Sequence, residues 1–297
     1  MKEIGMNNNI TLSIAIPTFN GSRTVSAAIE SALSQAIKLG DSRCFEIVIS
    51  DNCSNDGTSE VCRIYADKHP DLISYFRNET NVGYDRNIDL IFSRARGVFV
   101  KILCDDDELM DFGLARLFDA TRNFPLAGVF VTNFDVYNSE MTKVLHSTPI
   151  GDAGDRLYED TEEFLTKVKA RYGQTSSLMF RRESWLSTPS ENAFETMHIQ
   201  VYKVLHVLQK YSGVIMPEPL LKVRHGSPNF NTSVINMVNV PLKAVVLLQD
   251  FCILYPNPVY KKLLRNQKDY VINIIDGIRR DYSISEKLEQ IYRQLKS

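Results

Sequence analysis

The sequence predicts an α/β protein with a mostly parallel open sheet, helices on both faces and a helical extension at the C-terminal end. Three observations predict it. Strand-like and helix-like segments alternate four times over residues 11–103 with short links, the pattern of successive crossovers in a parallel sheet. Polar clusters at residues 17–21, 51–57 and 105–107 each follow a strand-like run, and open α/β sheets bind ligands beyond the carboxyl ends of their strands. From Pro241 onward the chain carries helical spacing and no strand signal.

Residues 11–16 (Thr-Leu-Ser-Ile-Ala-Ile) read as the first strand, closed by Pro17-Thr18-Phe19-Asn20-Gly21. Pro17 donates nothing to a ladder, while Asn20 and Gly21 supply turn geometry. Val25, Ala28, Ile29, Ala32, Leu33 and Ala36 then keep helical spacing over 24–37. Residues 45–49 form the second buried strand, and residues 50–58 lead to a helix over 59–68 with Asp56 or Thr58 as its cap. A short strand over 74–77 and a helix ending at Arg94 bring the chain to the apolar run 97–103.

A helix over 111–123, strands over 128–134 and 177–180 and a helix near 197–210 follow. Residues 138–160, rich in Ser, Thr, Gly and Asp, read as a loop or lid over the site. Residues 214–223 are extended, but Pro217 and Pro219 limit them to an edge strand at best. Helices are expected over 241–254, 259–275 and 284–295. In the middle one, Tyr260, Leu263, Leu264, Val271, Ile274 and Ile275 oppose Lys261, Lys262, Arg265 and Lys268. Such a stripe packs on the main domain or a second subunit, with a membrane face as the alternative.

At 297 residues, 44% hydrophobic and 24% charged, the chain has room for a full α/β core plus an extension. The formal charge is −2, yet residues 257–297 carry nine Lys/Arg against five Asp/Glu. That asymmetry suits an anionic membrane surface, and no nucleic-acid partner is expected. The five cysteines are odd in number and form no Cys-x-x-Cys pair, which fits free thiols in a reducing cytoplasm. The polar start, Met1 to Asn9, shows no secretory leader. Lys243, Gln249 and Asp250 interrupt the best candidate span, residues 238–255.

The stretch Ile102-Leu103-Cys104-Asp105-Asp106-Asp107-Glu108-Leu109 carries the chemistry. Three adjacent acids repel one another and lose solvation unless a cation or strong donors compensate them. A solvated turn capping the next helix is the plain reading of such a triplet. Its place beside two other polar strand ends favours a clamp in which Asp105 and Asp107 hold a hard divalent cation through oxygen. A dinucleotide-dependent oxidoreductase is disfavoured, because the first strand-to-helix turn has only Gly21 and no Gly-x-Gly-x-x-Gly. A phosphatase with a nucleophilic Asp would need that Asp where Pro17 and Thr18 stand.

Four motifs in order, Pro17-Thr18-Phe19-Asn20, Ser50-Asp51-Asn52-x-Ser54-x-Asp56-Gly57-Thr58, Asn81-x-Gly83-x-x-Arg86-Asn87 and Cys104-Asp105-Asp106-Asp107-Glu108-Leu109, resemble a family 2 glycosyltransferase of the GT-A (Rossmann-like) fold. The motif style is similar to the abequosyltransferase-like branch, which uses CDP-linked dideoxyhexoses and polyprenyl-diphosphate-linked O-antigen acceptors. The resemblance implies a catalytic domain over 1–230, with a nucleotide-sugar half (10–125) and an acceptor half (126–230), and a helical extension over 231–297. It implies donor contacts from Pro17, Thr18, Phe19, Asn20, Asp51, Asn52, Arg86, Asn87, Asp105 and Asp106. Asp105 and Asp107, joined by His225, would hold Mn²⁺ or Mg²⁺. Glu195, with Glu191 second, would deprotonate the acceptor hydroxyl, His198 would contact the acceptor, and Arg224 would contact the acceptor or pair equally with a phosphate or a structural carboxylate. Relatives using uridine donors commonly carry Asp at the position of Asn52. An amide there can donate to N3 of cytosine and accept from its amino group, which tilts the donor toward cytidine. A UDP- or dTDP-sugar transferase and a non-catalytic nucleotide- or carbohydrate-binding protein are the alternatives. Peripheral contact with the inner membrane face or a homodimer through the C-terminal helices completes the expected picture.

Overall fold

The computed structural model describes residues 10–39, 44–226, 234–281 and 286–296. The polar start Met1–Asn9, the proposed domain boundary at 230/231 and the first residues of the expected last helix, 284–285, lie outside them. The chain divides into two compact units, one of Met1–Asn192 with Ile199–Asn229 and one of Ala193–His198 with Phe230–Ser297.

The first unit opens with β1 (Leu12–Thr18), α1 (Val25–Leu39), β2 (Phe45–Asp51), α2 (Thr58–Lys68), β3 (Ile73–Arg77), α3 (Tyr84–Arg94) and β4 (Phe99–Ile102). It continues through β5 (Glu108–Leu109), α4 (Gly113–Asn123), β6 (Val129–Tyr137), β7 (Val144–Ser147), β8 (Arg156–Tyr158) and α5 (Thr161–Val168). Then come β9 (Leu178–Arg181), α6 (Arg182–Leu186), α7 (Ile199–Val207) and β10 (Gly213–Arg224). The strands form one sheet in the order β3-β2-β1-β4-β9-β6-β10-β5, with β7 on β6 and β8 on β10. β1, β2, β3 and β4 are parallel, and β9 runs against both β4 and β6, so β6 and its parallel partner β10 share the direction of β4. Thr18 pairs with Asp51 at one end of this set, which brings the first two polar clusters to one rim.

The helical spacing in α1 buries Val25, Ala28, Ile29, Ala32, Leu33 and Ala36 against Leu12, Ile14 and Ile16 of β1 and Phe45, Ile47 and Ile49 of β2. Each buried Val, Leu or Ile is worth roughly 1.5–3 kcal/mol relative to exposure, so this layer fixes the rim firmly. Asp56 accepts from Thr58 N at 3.1 Å, but the residue capping α2 is Gly57, at φ 96°, a conformation that suits glycine.

Two expectations need correction. Residues 138–160 are not only a loop: β7 and β8 lie within them and add to β6 and β10. Strand β10 is not an edge strand either, since it pairs with β6, β5 and β8. Pro217 and Pro219 fall where the register with β6 shifts, so bulges absorb the missing donors and the ladder resumes at Leu221.

The second unit is helical: α8 (Val234–Leu254), α9 (Pro258–Asp281) and α10 (Glu286–Lys296). Pro241, expected to open a helix, lies inside α8. Val245, Val271, Ile275 and Leu295 form the unit's core, and Phe251 meets Tyr260 edge-on at 4.8 Å. Among the described residues, no helix is long and apolar enough to cross a membrane.

Candidate functional site

The acidic turn begins where β4 ends. Leu103 N still bonds to Ala15 O at 2.9 Å, and Asp107 N returns to Cys104 O at 3.1 Å, closing the chain on itself. Asp105 and Asp107 are 8% and 2% exposed, so the turn's carboxylates depend on donors from other elements.

Asp105 faces the end of β1. Its Oδ2 accepts from Thr18 Oγ1, and Gly21 comes so near that a Cβ there would lie 3.0 Å from Asp105 Cγ. Asp107 is held from the other side: Oδ1 accepts from Arg224 N at 3.0 Å and Oδ2 from Gln174 Nε2 at 3.3 Å. Burial raises the Asp105 carboxyl to about 7; Thr18 opposes the shift and the Asp106 charge adds to it. Burial and the same neighbour raise Asp107 to about 7 as well. Carboxyls held this far above the ordinary range bind protons at neutral pH until something positive displaces them.

A second cluster supports the rim. Asp51 is wholly buried, with Oδ1 accepting from Ser54 N at 2.9 Å and Oδ2 from Ser59 Oγ and Tyr75 OH at 2.6 and 2.7 Å. Burial disfavours its charge, but these bonds outweigh burial and hold the carboxyl below the usual value. Asn20 and Cys53 adopt φ 54° and 66°, and Asn20 links the two loops by donating its N to Ser54 Oγ at 2.9 Å and accepting from Asn55 N at 3.0 Å.

Several expected roles change with this geometry. Asn52 Nδ2 donates to Asn81 Oδ1 at 2.8 Å and Gly83 O at 3.3 Å, while its Oδ1 accepts from Asn78 Nδ2 and Val82 N at 3.0 and 2.9 Å. Both ends of the amide are engaged within the protein, so the side chain orders residues 78–83 and has no hydrogen bond left for a base. Asn87, expected at the donor, bonds to Ser50 and Asn78. Arg224, expected at the acceptor, has its Nε on Asp106 O at 3.0 Å, a further bond to Ser139 O and Glu108 at 3.8 Å. It fastens the acidic turn.

The expected clamp pairs Asp105 with Asp107. Among the described residues, Cys104, Asp106 and Asp107 bring ligand-capable atoms within 4.8 Å of one another. His225 is not in that group; it is exposed and donates its N to Tyr137 O at 2.8 Å. Two carboxylates suit Mg²⁺ or Mn²⁺, which take one or two protein carboxylates and complete their shell with water and phosphate oxygens. The Cys104 thiol, raised well above its ordinary value by burial, stays protonated and is a poor ligand for a hard cation. The residues therefore fit such an ion through Asp106 and Asp107.

Phe19, 41% exposed, and Arg86, also exposed, keep surface toward solvent, whereas Pro17 is partly covered. Glu191 is exposed and its Oε2 accepts from Ser190 N at 3.1 Å. Glu195 and His198 belong to the second unit. There Glu195 is exposed at φ 67°, Met197 follows at φ 62°, and Lys243 Nζ donates to the Glu195 carbonyl. His198 N donates to Thr196 Oγ1 at 3.0 Å. Sequence reasoning missed Lys101, Gln174 and Ser176, which surround the turn from behind; only the charge of Lys101 inside an apolar run signalled them.

A mostly parallel open sheet with its acids gathered at one rim defines the first unit as a GT-A type α/β domain. The chain belongs to glycosyl transferase family 2, whose model matches residues 13–186. It is 36% identical over 185 residues to the abequosyltransferase RfbV of Salmonella typhimurium, covering 59% of this chain and 54% of that protein. It is also 36% identical over 107 residues to the GalNAc(5)-diNAcBac-PP-undecaprenol beta-1,3-glucosyltransferase of Campylobacter jejuni, covering 36% of this chain and 33% of that one. The matches thus span about half the length of these curated relatives or less. Among solved structures, S. aureus TarS 1-349 in complex with UDP-GlcNAc aligns with a TM-score of 0.65 at 12% identity, covering 96% of this chain and 79% of that one. The mannosyltransferase PcManGT from Pyrobaculum calidifontis, in complex with GDP-Man and Mn²⁺, aligns at 0.60 and 12% identity, covering 97% and 84%. At these identities the two structures share the fold.

Proposed function

We propose that this chain is an inverting, metal-dependent glycosyltransferase that moves a sugar from a nucleoside-diphosphate sugar to a saccharide acceptor carried on a lipid diphosphate. The observation that carries the reading is the acidic turn, where buried carboxyls are held by donors from β1, β10 and residue 174 and left short of positive charge. Asp106 and Asp107 would hold Mn²⁺ or Mg²⁺, which supplies positive charge against the leaving diphosphate when bound. Phe19 offers a ring face for the base, and Thr18 keeps Asp105 at the donor side. Glu195, or Glu191 in second place, takes the proton from the acceptor hydroxyl as that oxygen attacks the anomeric carbon from the face opposite the diphosphate. The left-handed backbone at Glu195 supports that role, since such conformations gather at functional sites.

A CDP-linked dideoxyhexose is the favoured donor, and its support is the likeness to the abequosyltransferase, since Asn52 no longer provides any. A lipid-linked acceptor accords with the undecaprenol-linked substrate named for the Campylobacter relative. In the second unit, Ile253 is 80% and Leu254 59% exposed, and exposed Lys261, Lys262 and Arg265 follow on α9. Apolar and basic residues together suit the anionic inner face of a membrane and a cytoplasmic, peripheral placement. Flotation with anionic vesicles tests this; a dimer that ignores vesicles assigns the face to a second copy.

The decisive experiment is a thermal-shift screen of CDP, UDP, GDP and dTDP with and without Mn²⁺. Stabilisation by a nucleoside diphosphate that requires the metal is expected, followed by release of that diphosphate from its sugar conjugate when acceptor is added. Metal-independent binding with no turnover would leave a non-catalytic nucleotide-binding protein.

A further inference from the structure

Lys101 has no role in the chemistry above, yet it stands directly behind it. It lies in β4 between Ile14 of β1 and Met179 of β9, and it is wholly buried. Its Nζ donates to Thr132 Oγ1 at 3.0 Å and to the carbonyl of Ser176. Both acceptors are neutral oxygens. An ammonium ion taken out of water is costly under those conditions, and an apolar side chain of similar length would fill the space without that penalty.

What the amine holds explains its presence. Ser176 lies in the single helical turn Thr175–Ser177, and its Oγ accepts from Cys104 N at 2.9 Å. Gln174, one residue before the turn, donates to Asp107. Thr132 extends the same anchorage by donating to Ser177 O at 3.0 Å, and Tyr84 OH shares a hydrogen bond with Thr175 Oγ1 at 2.5 Å. Lys101 therefore ties this turn to β4 and β6, and the turn together with Gln174 before it holds the first and last residues of the segment 104–107.

We infer that Lys101 is a positioning residue for cation and diphosphate binding: through the Thr175–Ser177 turn it sets Asp106 and Asp107 in place before any ligand arrives. The inference rests on the glycosyl-transfer reading of the acidic turn. Lys101 touches neither ion nor substrate in this role. It acts as the partners behind metal ligands do, whose loss typically lowers metal affinity about 10–100-fold.

The test uses the full chain with Lys101→Met and, separately, Gln174→Ala. Mn²⁺ binding is followed by electron paramagnetic resonance, nucleoside diphosphate binding with and without Mn²⁺ by calorimetry, and folding by circular dichroism. Lys101→Met is expected to retain the native spectrum and lose Mn²⁺ and Mn²⁺-dependent nucleotide affinity by about tenfold or more. Normal Mn²⁺ affinity in a folded Lys101→Met protein would overturn the inference and leave the lysine a core filler. Should that variant not fold, Gln174→Ala decides: the half-buried glutamine can be truncated without a core defect, and unchanged Mn²⁺ affinity there overturns the inference equally. A wild-type chain that binds no nucleoside diphosphate with Mn²⁺ overturns the functional reading and this inference together, whereas normal wild-type binding with unaffected variants overturns this inference alone.

Discussion

Gly21→Ala offers a steric probe of the acidic turn. The added methyl would lie 2.8 Å from Thr18 Oγ1 and 3.0 Å from Asp105 Cγ, and closer still to Asp105 Oδ2. Alanine is conformationally acceptable there, since Gly21 is not among the positive-φ glycines, so the cost comes from crowding. Overpacking of this kind costs about 1–3 kcal/mol. If Asp105 swings away to relieve it, the hydrogen bond from Thr18 is lost as well, and leaving a buried partner unsatisfied costs about 1–3 kcal/mol. These are alternatives in part, because movement trades one for the other, so a total of roughly 2–4 kcal/mol is expected. At about 2–4 °C per kcal/mol for a domain of this size, the melting temperature should fall by about 4–16 °C. Circular dichroism melts of the wild type and variant measure it, and nucleotide titration with Mn²⁺ should show weakened binding in the same protein. Gly57→Ala is the control: its φ of 96° brings strain, but nothing lies within 4 Å of the added methyl, so it should lower stability and spare the Thr18–Asp105 contact. A Gly21→Ala melting temperature within ~1 °C of wild type, well short of the size-scaled expectation, would refute the close packing argued for Asp105.

Asp107→Asn should keep the fold, because the amide oxygen can still accept from Arg224 or Gln174, but should abolish Mn²⁺-dependent nucleotide binding; retained stabilisation by CDP plus Mn²⁺ would count against Asp107 as a ligand. Asn52→Asp should destabilise the protein by about 1–3 kcal/mol, because a carboxylate would face Asn81 Oδ1 and Gly83 O without protons to give; the ranking of CDP against UDP, read by calorimetry, should not change. In metal-free protein, Asp105 and Asp107 are raised to about 7, so between roughly pH 4 and 7 the folded chain binds more protons than the unfolded one and their contribution to stability falls as pH rises. His206, lowered to about 4 by burial, works oppositely over part of that interval, so the readout is the difference between wild type and Asp107→Asn: melts from pH 5 to 7 should show the steeper fall in wild type, and parallel curves would refute the shift.

The alternation of β1 through β4 was legible because each strand is apolar, each helix keeps its spacing and each crossover is short. Strand β10 was less so. Pro217 and Pro219 suggest an edge strand when only the local ladder is considered, and only pairing with β6 shows that bulges carry the chain past them. The acids of the turn were visible from their spacing alone, but their partners were not. Arg224 bonds to Asp107 across 117 residues and Gln174 across 67, distances over which periodicity carries no information. The partners of Asn52 were hidden for a related reason: its chemistry allows base reading, and the four neighbours that bond to it come from residues 78–83. Lys101 stands in the apolar run 97–103 with no sign in the sequence of its acceptors, Thr132 and Ser176, which lie 31 and 75 residues away.

The stitching of the acidic turn by Thr18 at one extreme and Arg224 at the other bears on biosynthesis. A ribosome that has finished β1 through β6 has made every carboxylate of the turn, yet neither β10 nor the backbone amide that fixes Asp107. Long-separation contacts of this kind form late. The bonded form of the turn can therefore mature only after nearly all of the first unit has emerged.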